Sequence, residues 1–568
     1  MPGQPHAQPA DHPLDEPADL ASDLLGPREE CGVFGVWAPD EDVAKLTYYG
    51  LYALQHRGQE AAGMAVSDGS NVVVYKELGL VSQVFDESTL RSLQGNLAIG
   101  HTRYSTTGSC TWENAQPSFR SRTSGGGIAL GHNGNLTNTG ELARHANDLR
   151  GTGHAVAADV VPSTTDSDLI TSLLAAAADD DSTVGEAALR VLPQLRGAFS
   201  LVFMDDRTLW AARDAHGVRP LVLGRLERGW VVASETAALD IVGASFVREV
   251  EPGELLTIDA GGVRSARFAT ADPKGCLFEY VYLARPDTAI AGRSVHATRV
   301  EVGRVLAREA PAEADLVMPV PQSGTPAAIG YAEASGIPYG EGLVKNAYVG
   351  RTFIQPSQTI RQLGIRLKLN PLVEVIRGKR LVVVDDTIVR GNTQRAVVRM
   401  LREAGALEVH VRVSAPPVAW PCFYGIDFAS RAELIASGLG VEQIRAAIGA
   451  DTLAFVSLDG LIGASRQPAQ RLCSACFTGE YPIALPTEDL LGKHLLEGVQ
   501  TDLLGLEPGF AAAGAGAAAG RQAFISLAEM GPVGIHNGLQ GVEDDALVTG
   551  ATPGGYAGQP APVGPRRL

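Results

Sequence analysis

The string RLVVVDDTIVRGNT at 380–393 leaves this chain few architectures. Four consecutive apolar residues, Leu381 to Val384, read as a strand buried on both faces. Such strands belong to parallel sheets covered by helices. The run ends in two adjacent acids, Asp385 and Asp386, and a loop with Arg390 and Gly391 leads into the helix pattern NTQRAVVRMLREAG at 392–405. Neighbouring segments keep the alternation: ADLVMPVP (314–321), TPAAIGYAEASG (325–336) and LEVHVRVSAPP (407–417) read strand, helix, strand. Strands alternating with helices predict an α/β domain with a parallel, doubly wound sheet, in which ligands bind at the carboxyl ends of strands. The free N–H groups of a helix start suit a phosphate, and paired carboxylates suit ribose hydroxyls or a hard cation such as magnesium.

The first half has a different texture. From Cys31 the run CGVFGVWA reads as a strand, and short strands follow at turn-rich intervals, among them GMAVSD (63–68), NVVVYKE (71–77), AIGHTRYST (98–106) and FSLVFMD (199–205). Helix patterns interrupt them near 43–60 and 167–180, so 31–265 is α+β. Residues 280–310 read as a linking helix. Residues 1–30 hold six prolines and seven acids against the single base Arg28, with no cationic start and no apolar stretch. That is a disordered leader and not a secretory signal. Of the 58 residues from 511 onward, 30 are Gly, Ala or Pro, which predicts a largely disordered tail. The resulting division is a leader at 1–30, domains at 31–265 and 266–505, and a tail at 506–568.

Composition excludes several classes. A net charge of −17 argues against a dedicated nucleic-acid binder while leaving room for a local basic site. The segment 345–368 is such a site, with Lys345, Arg351, Arg361, Arg366 and Lys368 and no acid. It reads as solvated surface or, lying between two phosphate-type loops, as a lid over a diphosphate. No apolar run is long enough for a membrane span. Six cysteines in 568 residues are too few for a disulfide scaffold and suggest a reducing, cytoplasmic setting. Cys31 is a small buried strand residue or, if the chain is cut after Glu30, a nucleophile whose own α-amine is the nearby base. Cys473 and Cys476 form a close C-x-x-C pair, with Cys422 and Cys276 far upstream. On spacing alone the four could be a zinc site, an iron–sulfur site, a redox pair or unrelated thiols.

Resemblance narrows these choices. CGVFG, LYALQHRGQEAAG (51–63), GHTRYSTTG (100–108), GHNGNLTN (131–138) and TDSD (165–168) occur in the order found in glutamine amidotransferases with an N-terminal cysteine nucleophile. That resemblance implies an αββα sandwich. Cys31 would attack the glutamine amide, Asn133 and the Gly134 N–H would form the oxyanion hole, Arg103 would bind the substrate carboxylate and Asp166 its ammonium. VVVDDTIVRGNT resembles the signature of type I phosphoribosyltransferases. It implies that Asp385 and Asp386 contact the ribose of phosphoribosyl pyrophosphate (PRPP) and its Mg2+, and that Thr387, Arg390, Gly391, Asn392 and Thr393 line the 5′-phosphate loop. The family usually has RGTT where this chain has RGNT. Ser323, in PVPQSGTP (319–326), is implied as a magnesium-linked ligand, and Lys345 and Lys368 as lid residues.

KGCLFEYVYLARPD (274–287), PCFYGIDF (421–428) and LCSACFTGEYP (472–482) are similar to the iron–sulfur branch of the amidophosphoribosyltransferases. There, cysteines matching Cys276, Cys422, Cys473 and Cys476 hold a 4Fe–4S cluster, and the chain is made with a propeptide. Cys110 matches no family cysteine. The resemblance implies the first step of purine synthesis, with ammonia passed between sites, a homotetramer or homodimer, and inhibition by purine nucleotides. Another class 2 amidotransferase would share only 31–265. A PRPP-sensing regulator would not need Cys31, Arg103, Asn133 and Asp166 together.

Overall fold

A computed structural model describes residues 31–104, 110–122, 125–151, 165–178, 182–346, 368–426 and 431–485. The chain divides into two units, Met1–Phe524 and Ile525–Leu568, and every described residue lies in the first. The expected leader, the expected tail, and Arg351, Arg361 and Arg366 of the basic segment lie outside the described residues.

Two antiparallel sheets face each other in the N-terminal half. One has seven strands and places Gly32–Trp37 between Gly229–Ala233 and Leu97–Arg103. The other has six, with Gly127–Leu136 beside Gly197–Met204. Alternation along the strands sorts the side chains into layers. Val33, Ile99, Ala129, Val202 and Ile258 fill the space between the sheets. On the outer face of the first sheet, Phe34 and Val36 pack with Leu51 of the helix Val43–Ala53 and with Leu54 at its C-cap. On the outer face of the second, Leu130 and Phe203 pack with Ile170 and Leu174 from the helix Asp166–Ala178. The result is helix, sheet, sheet, helix.

The second sheet system is parallel, with the strands Leu316–Pro319, Arg380–Asp385, Glu408–Val413 and Thr452–Phe455 side by side. Val317 also makes a parallel bridge to Tyr339 on its other side. The chain therefore runs outward one way through the helix Thr325–Ser335, then back across and outward the other way through Asn392–Glu403 and Val441–Ile448. Val382 and Val384 face the first helix, and Leu381 and Val383 face the other two. The direction reverses between Leu316–Pro319 and Arg380–Asp385, and a doubly wound sheet opens its ligand crevice at that reversal.

The stretch 280–310 is not one helix. A π-helical turn, Glu279–Leu283, gives way to the small hairpin Ala289–Ile290 with Arg293–Ser294, and only Val295–Glu309 is α-helical. Pro286 explains the break, because proline cannot continue a helix and pushes the residue before it toward extended backbone. No helix among the described residues is long and apolar enough to cross a membrane.

Candidate active sites

Cys31 sits at the head of the central strand of the first sheet, and its side chain lines a pocket with Arg103, Tyr104, Gln116, His132, Gly134, Thr165, Asp166 and Ser167. Its Sγ donates to the Tyr104 carbonyl at 3.3 Å. Burial pushes the thiol up to about 11, with the Arg103 guanidinium pulling the other way. At neutral pH the thiol is therefore protonated, and attack needs a base. Burial alone would also raise Asp166, but His132 and the N–H groups of Leu136 and Ser167 outweigh it and hold the carboxyl below its ordinary range. A negative charge thus persists in a buried pocket, where a cationic group can use it. Arg103, also buried, ends the strand Leu97–Arg103 and supplies the opposite charge.

Asn133 is fully buried, and neither its Oδ1 nor its Nδ2 has a hydrogen-bond partner among the described residues. An orphaned buried amide costs roughly 1–3 kcal/mol, so such groups call for a functional reason. Gly134 follows it at φ 149°, and a Cβ there would lie 2.0 Å from the Ala198 carbonyl oxygen. Only glycine fits that turn of strand.

At the reversal in the parallel sheet, the loop holding Ser323 meets the loop after Asp385, and the Val320 N–H donates to the Val384 carbonyl at 2.8 Å. Asp385 and Asp386 are buried side by side. Burial and then the neighbouring Asp386 raise Asp385 well above the carboxylate range. Gln394 donates to Asp385, the Thr387 hydroxyl donates to Asp386 at 2.6 Å, and Arg390 pairs with Glu433 at 3.4 Å. Gly391 caps the helix Asn392–Glu403 at φ 83°, so the helix starts directly after the loop. Lys345 and Lys368 stand at the two ends of the basic segment, where Leu343–Lys345 pairs with Leu369–Pro371 and the Asn346 N–H donates to the Lys368 carbonyl.

The four late cysteines, 200 positions apart at the extremes, converge. Cys276 and Cys473 are partners in a short parallel pairing, and the Ala419 and Trp420 N–H groups donate to the Cys476 carbonyl. Burial pushes the Cys276, Cys473 and Cys476 thiols up, Cys473 to about 12, and neighbouring thiols raise each further. Arg219 reaches the Cys422 Sγ at 3.9 Å. Among the described residues no three His, Cys, Asp or Glu stand in an arrangement that holds a single metal ion.

Several residues carry these sites without a signal in the sequence. His132 lies inside the GHNGN motif and supports Asp166 from 3.6 Å. Gln116 accepts from the His132 N–H at 2.8 Å. A buried ion chain runs from Glu235 through Arg57 and Glu279 to Arg219, with Arg57 to Glu279 at 2.7 Å and Arg219 to Glu279 at 3.6 Å. Its members lie on separate segments, so only the fold shows that they pair.

Comparison with known proteins agrees with this geometry. A glutamine amidotransferase domain is matched over residues 101–240 and a phosphoribosyl transferase domain over 303–417. The amidophosphoribosyltransferase of Mycobacterium tuberculosis (strain H37Rv) is 71% identical over 480 residues, covering 84% of this chain and 90% of that protein. That of Bacillus subtilis is 46% identical, covering 84% of this chain and 99% of that protein. A solved structure of the B. subtilis glutamine PRPP amidotransferase, complexed with ADP and GMP, superimposes with a TM-score of 0.74 at 45% identity, covering 81% of this chain and 98% of that one.

Proposed function

The chain belongs to the amidophosphoribosyltransferase family, phosphoribosyltransferases with a glutamine amidotransferase domain, and we propose that it divides the family's reaction between the Cys31 pocket and the Asp385 crevice. The reaction converts PRPP, glutamine and water to 5-phosphoribosylamine, glutamate and pyrophosphate, the first step of purine synthesis. What supports the division is the meeting of Cys31, Arg103, Gly134 and Asp166 on one pocket in one half of the chain, and of Ser323, Asp385 and Asp386 on one crevice in the other.

Residues 31–265 form the glutaminase domain and 266–505 the phosphoribosyltransferase domain, with 1–30 removed as a propeptide. The freed α-amine of Cys31 takes the thiol proton as sulfur adds to the glutamine amide carbon. Asn133 Nδ2 and the Gly134 N–H receive the charge that develops on oxygen. Arg103 pairs with the substrate carboxylate and Asp166 with its ammonium. The α-ammonium gives that proton to the amide nitrogen, ammonia leaves, a thioester remains on Cys31, and water releases glutamate. Ammonia passes inside the protein to C1 of PRPP and displaces pyrophosphate. Asp385 and Asp386 hold the ribose hydroxyls, Thr387 to Thr393 the 5′-phosphate, and Lys345 and Lys368 the diphosphate side.

Asp385, Asp386 and Ser323 would hold Mg2+, which neutralises diphosphate charge. Their hard oxygen donors fit an ion that keeps several waters and takes only one or two carboxylates. Cys276, Cys422, Cys473 and Cys476 would hold a 4Fe–4S cluster in a structural role. An all-thiol donor set fits it, and a cluster is broader than a single ion, so its thiolates need not close around one point. Purine nucleotides share the ribose 5′-phosphate of PRPP and would compete at 380–393. The B. subtilis structure with ADP and GMP supports that reading. The assembly is a cytoplasmic homotetramer or homodimer.

Cys31→Ala tests the division. Glutamine-dependent pyrophosphate release should vanish while ammonia-dependent release continues, and loss of both would sink the two-site reading. An intact mass of the iron-containing protein checks both the cut before Cys31 and the cluster.

A further inference from the structure

Gly134 is enclosed from two sides. Ala198 on the neighbouring strand closes one. The other is closed from the far half of the chain, by Gly425: a Cβ on Gly425 would lie 3.1 Å from Gly134 Cα and 3.2 Å from its carbonyl carbon. The loop leading to Gly425 is tied down at the residues before it. Asn135 Nδ2 donates to the Phe423 carbonyl at 3.1 Å, directly beside Gly134. Arg219 Nε donates to the Tyr424 carbonyl at 2.8 Å, and the Tyr424 N–H donates to Cys422 Sγ at 3.4 Å. The Tyr424 hydroxyl donates to the Ile483 carbonyl at 2.7 Å, and the Tyr481 hydroxyl donates to the Pro421 carbonyl at 2.7 Å.

We infer that residues 422–425 are a positioning element of the glutaminase reaction, with Gly425 as the outer wall that holds Gly134 in place. Glutamine hydrolysis in the N-terminal half then depends on a loop supplied by the C-terminal half. The inference rests on the proposed assignment of Asn133 and Gly134 as the oxyanion donors. Such donors act only when aimed at the oxygen as it becomes charged, and a shift of a fraction of an ångström weakens them. Arg219 fastens the same loop to Glu279, so the wall is anchored to the interdomain ion chain and not only to its own backbone. Among the described residues, Arg103 and Asp166 line the Cys31 pocket and no residue of 422–425 does, so glutamine binding should not feel the wall.

Gly425→Ala in the full, iron-replete enzyme is the primary test. Glutaminase kcat should fall about tenfold to a hundredfold, the scale of a small misplacement at a reacting centre. The glutamine KM should stay within about twofold, with ammonia-dependent synthesis and iron content unchanged. Gly425 lies at φ 115°, where alanine is strained, so Asn135→Ala is the second variant. It removes the tie to Phe423 without adding bulk, and a smaller fall in kcat with KM held is expected. Parent kcat in both variants alongside a crippled Asn133→Ala overturns the wall. A parallel loss of ammonia-dependent synthesis or of iron overturns it too, because the loop would then only hold the fold. Parent kcat in Asn133→Ala overturns the oxyanion assignment beneath it.

Discussion

The two sites spend their buried polar groups in opposite ways. In the Cys31 pocket, Asn133 keeps both amide atoms without a partner among the described residues, and Asp166 is held below its ordinary range by His132 and backbone N–H groups. In the Asp385 crevice, the key groups hold one another: Gln394 on Asp385, Thr387 on Asp386, Glu433 on Arg390. The first site is built ahead of its substrate and bears the cost of unmet hydrogen bonds. The second ties its acids to neighbouring side chains, with Gln394 Oε1 left over among the described residues, and must exchange those ties for bonds to a ligand. A preformed site can accept a small neutral amide without rearrangement, whereas a multiply charged substrate brings enough interaction energy to reorganise its host.

Replacing Asp385 probes that contrast most severely. Asp385→Asn should abolish pyrophosphate release with glutamine and with ammonia alike, since both routes end at PRPP. It should also raise the thermal midpoint of the ligand-free protein by a few degrees, because burial and the neighbouring Asp386 disfavour the Asp385 carboxylate in the fold and an amide escapes that cost. Unchanged or lowered stability in a calorimetric scan would mean that the paired acids are not in tension.

Asn133→Ala is the matching break on the other side. Glutaminase kcat should fall about 10²- to 10³-fold, the usual cost of losing one oxyanion donor. Stability should hardly change, because the amide has no partner among the described residues to abandon. A large loss of stability would show that Asn133 is satisfied within the fold, and the contrast between the sites would close.

The elements that carried chemistry in a short string could be read from the sequence. The strand Arg380–Asp385 and the helix Asn392–Glu403 differ from their patterns by a residue or two, because a fully apolar run and a strongly one-sided helix have few alternatives. The order of the glutamine motifs likewise fixed which residues to watch before the pocket that gathers them could be seen. The composition of 280–310 suits one linking helix, and Pro286 breaks it into a π-turn and the helix Val295–Glu309. The support around the sites was out of reach. His132 looks like one more letter of a turn motif until Asp166 is placed 3.6 Å away, and Gly425 meets Gly134 across 291 positions of sequence only because the cysteine loop folds back. Pairings of that range are set by tertiary packing and have no local signature.

The gentlest probe is pH. The Cys31 thiol, faced by Arg103, Asp166, Glu60 and the Tyr104 carbonyl, is pushed up to about 11 and stays protonated through the neutral range. The α-amine of the cut chain titrates near ~7.7–8.0 and accepts a proton only above that range. Glutaminase kcat should therefore rise with pH through about 7.7–8.0 and level off, well short of the thiol. Asp166 lies below the ordinary carboxylate range, so it remains charged as pH falls, and the glutamine KM should stay flat from pH 8 down past the usual carboxylate titration. The two profiles separate base from binder. A kcat that climbs on past pH 9 would assign the proton to the thiol alone, and a KM that rises as pH falls through the ordinary carboxylate range would remove Asp166 as the standing charge of a preformed site.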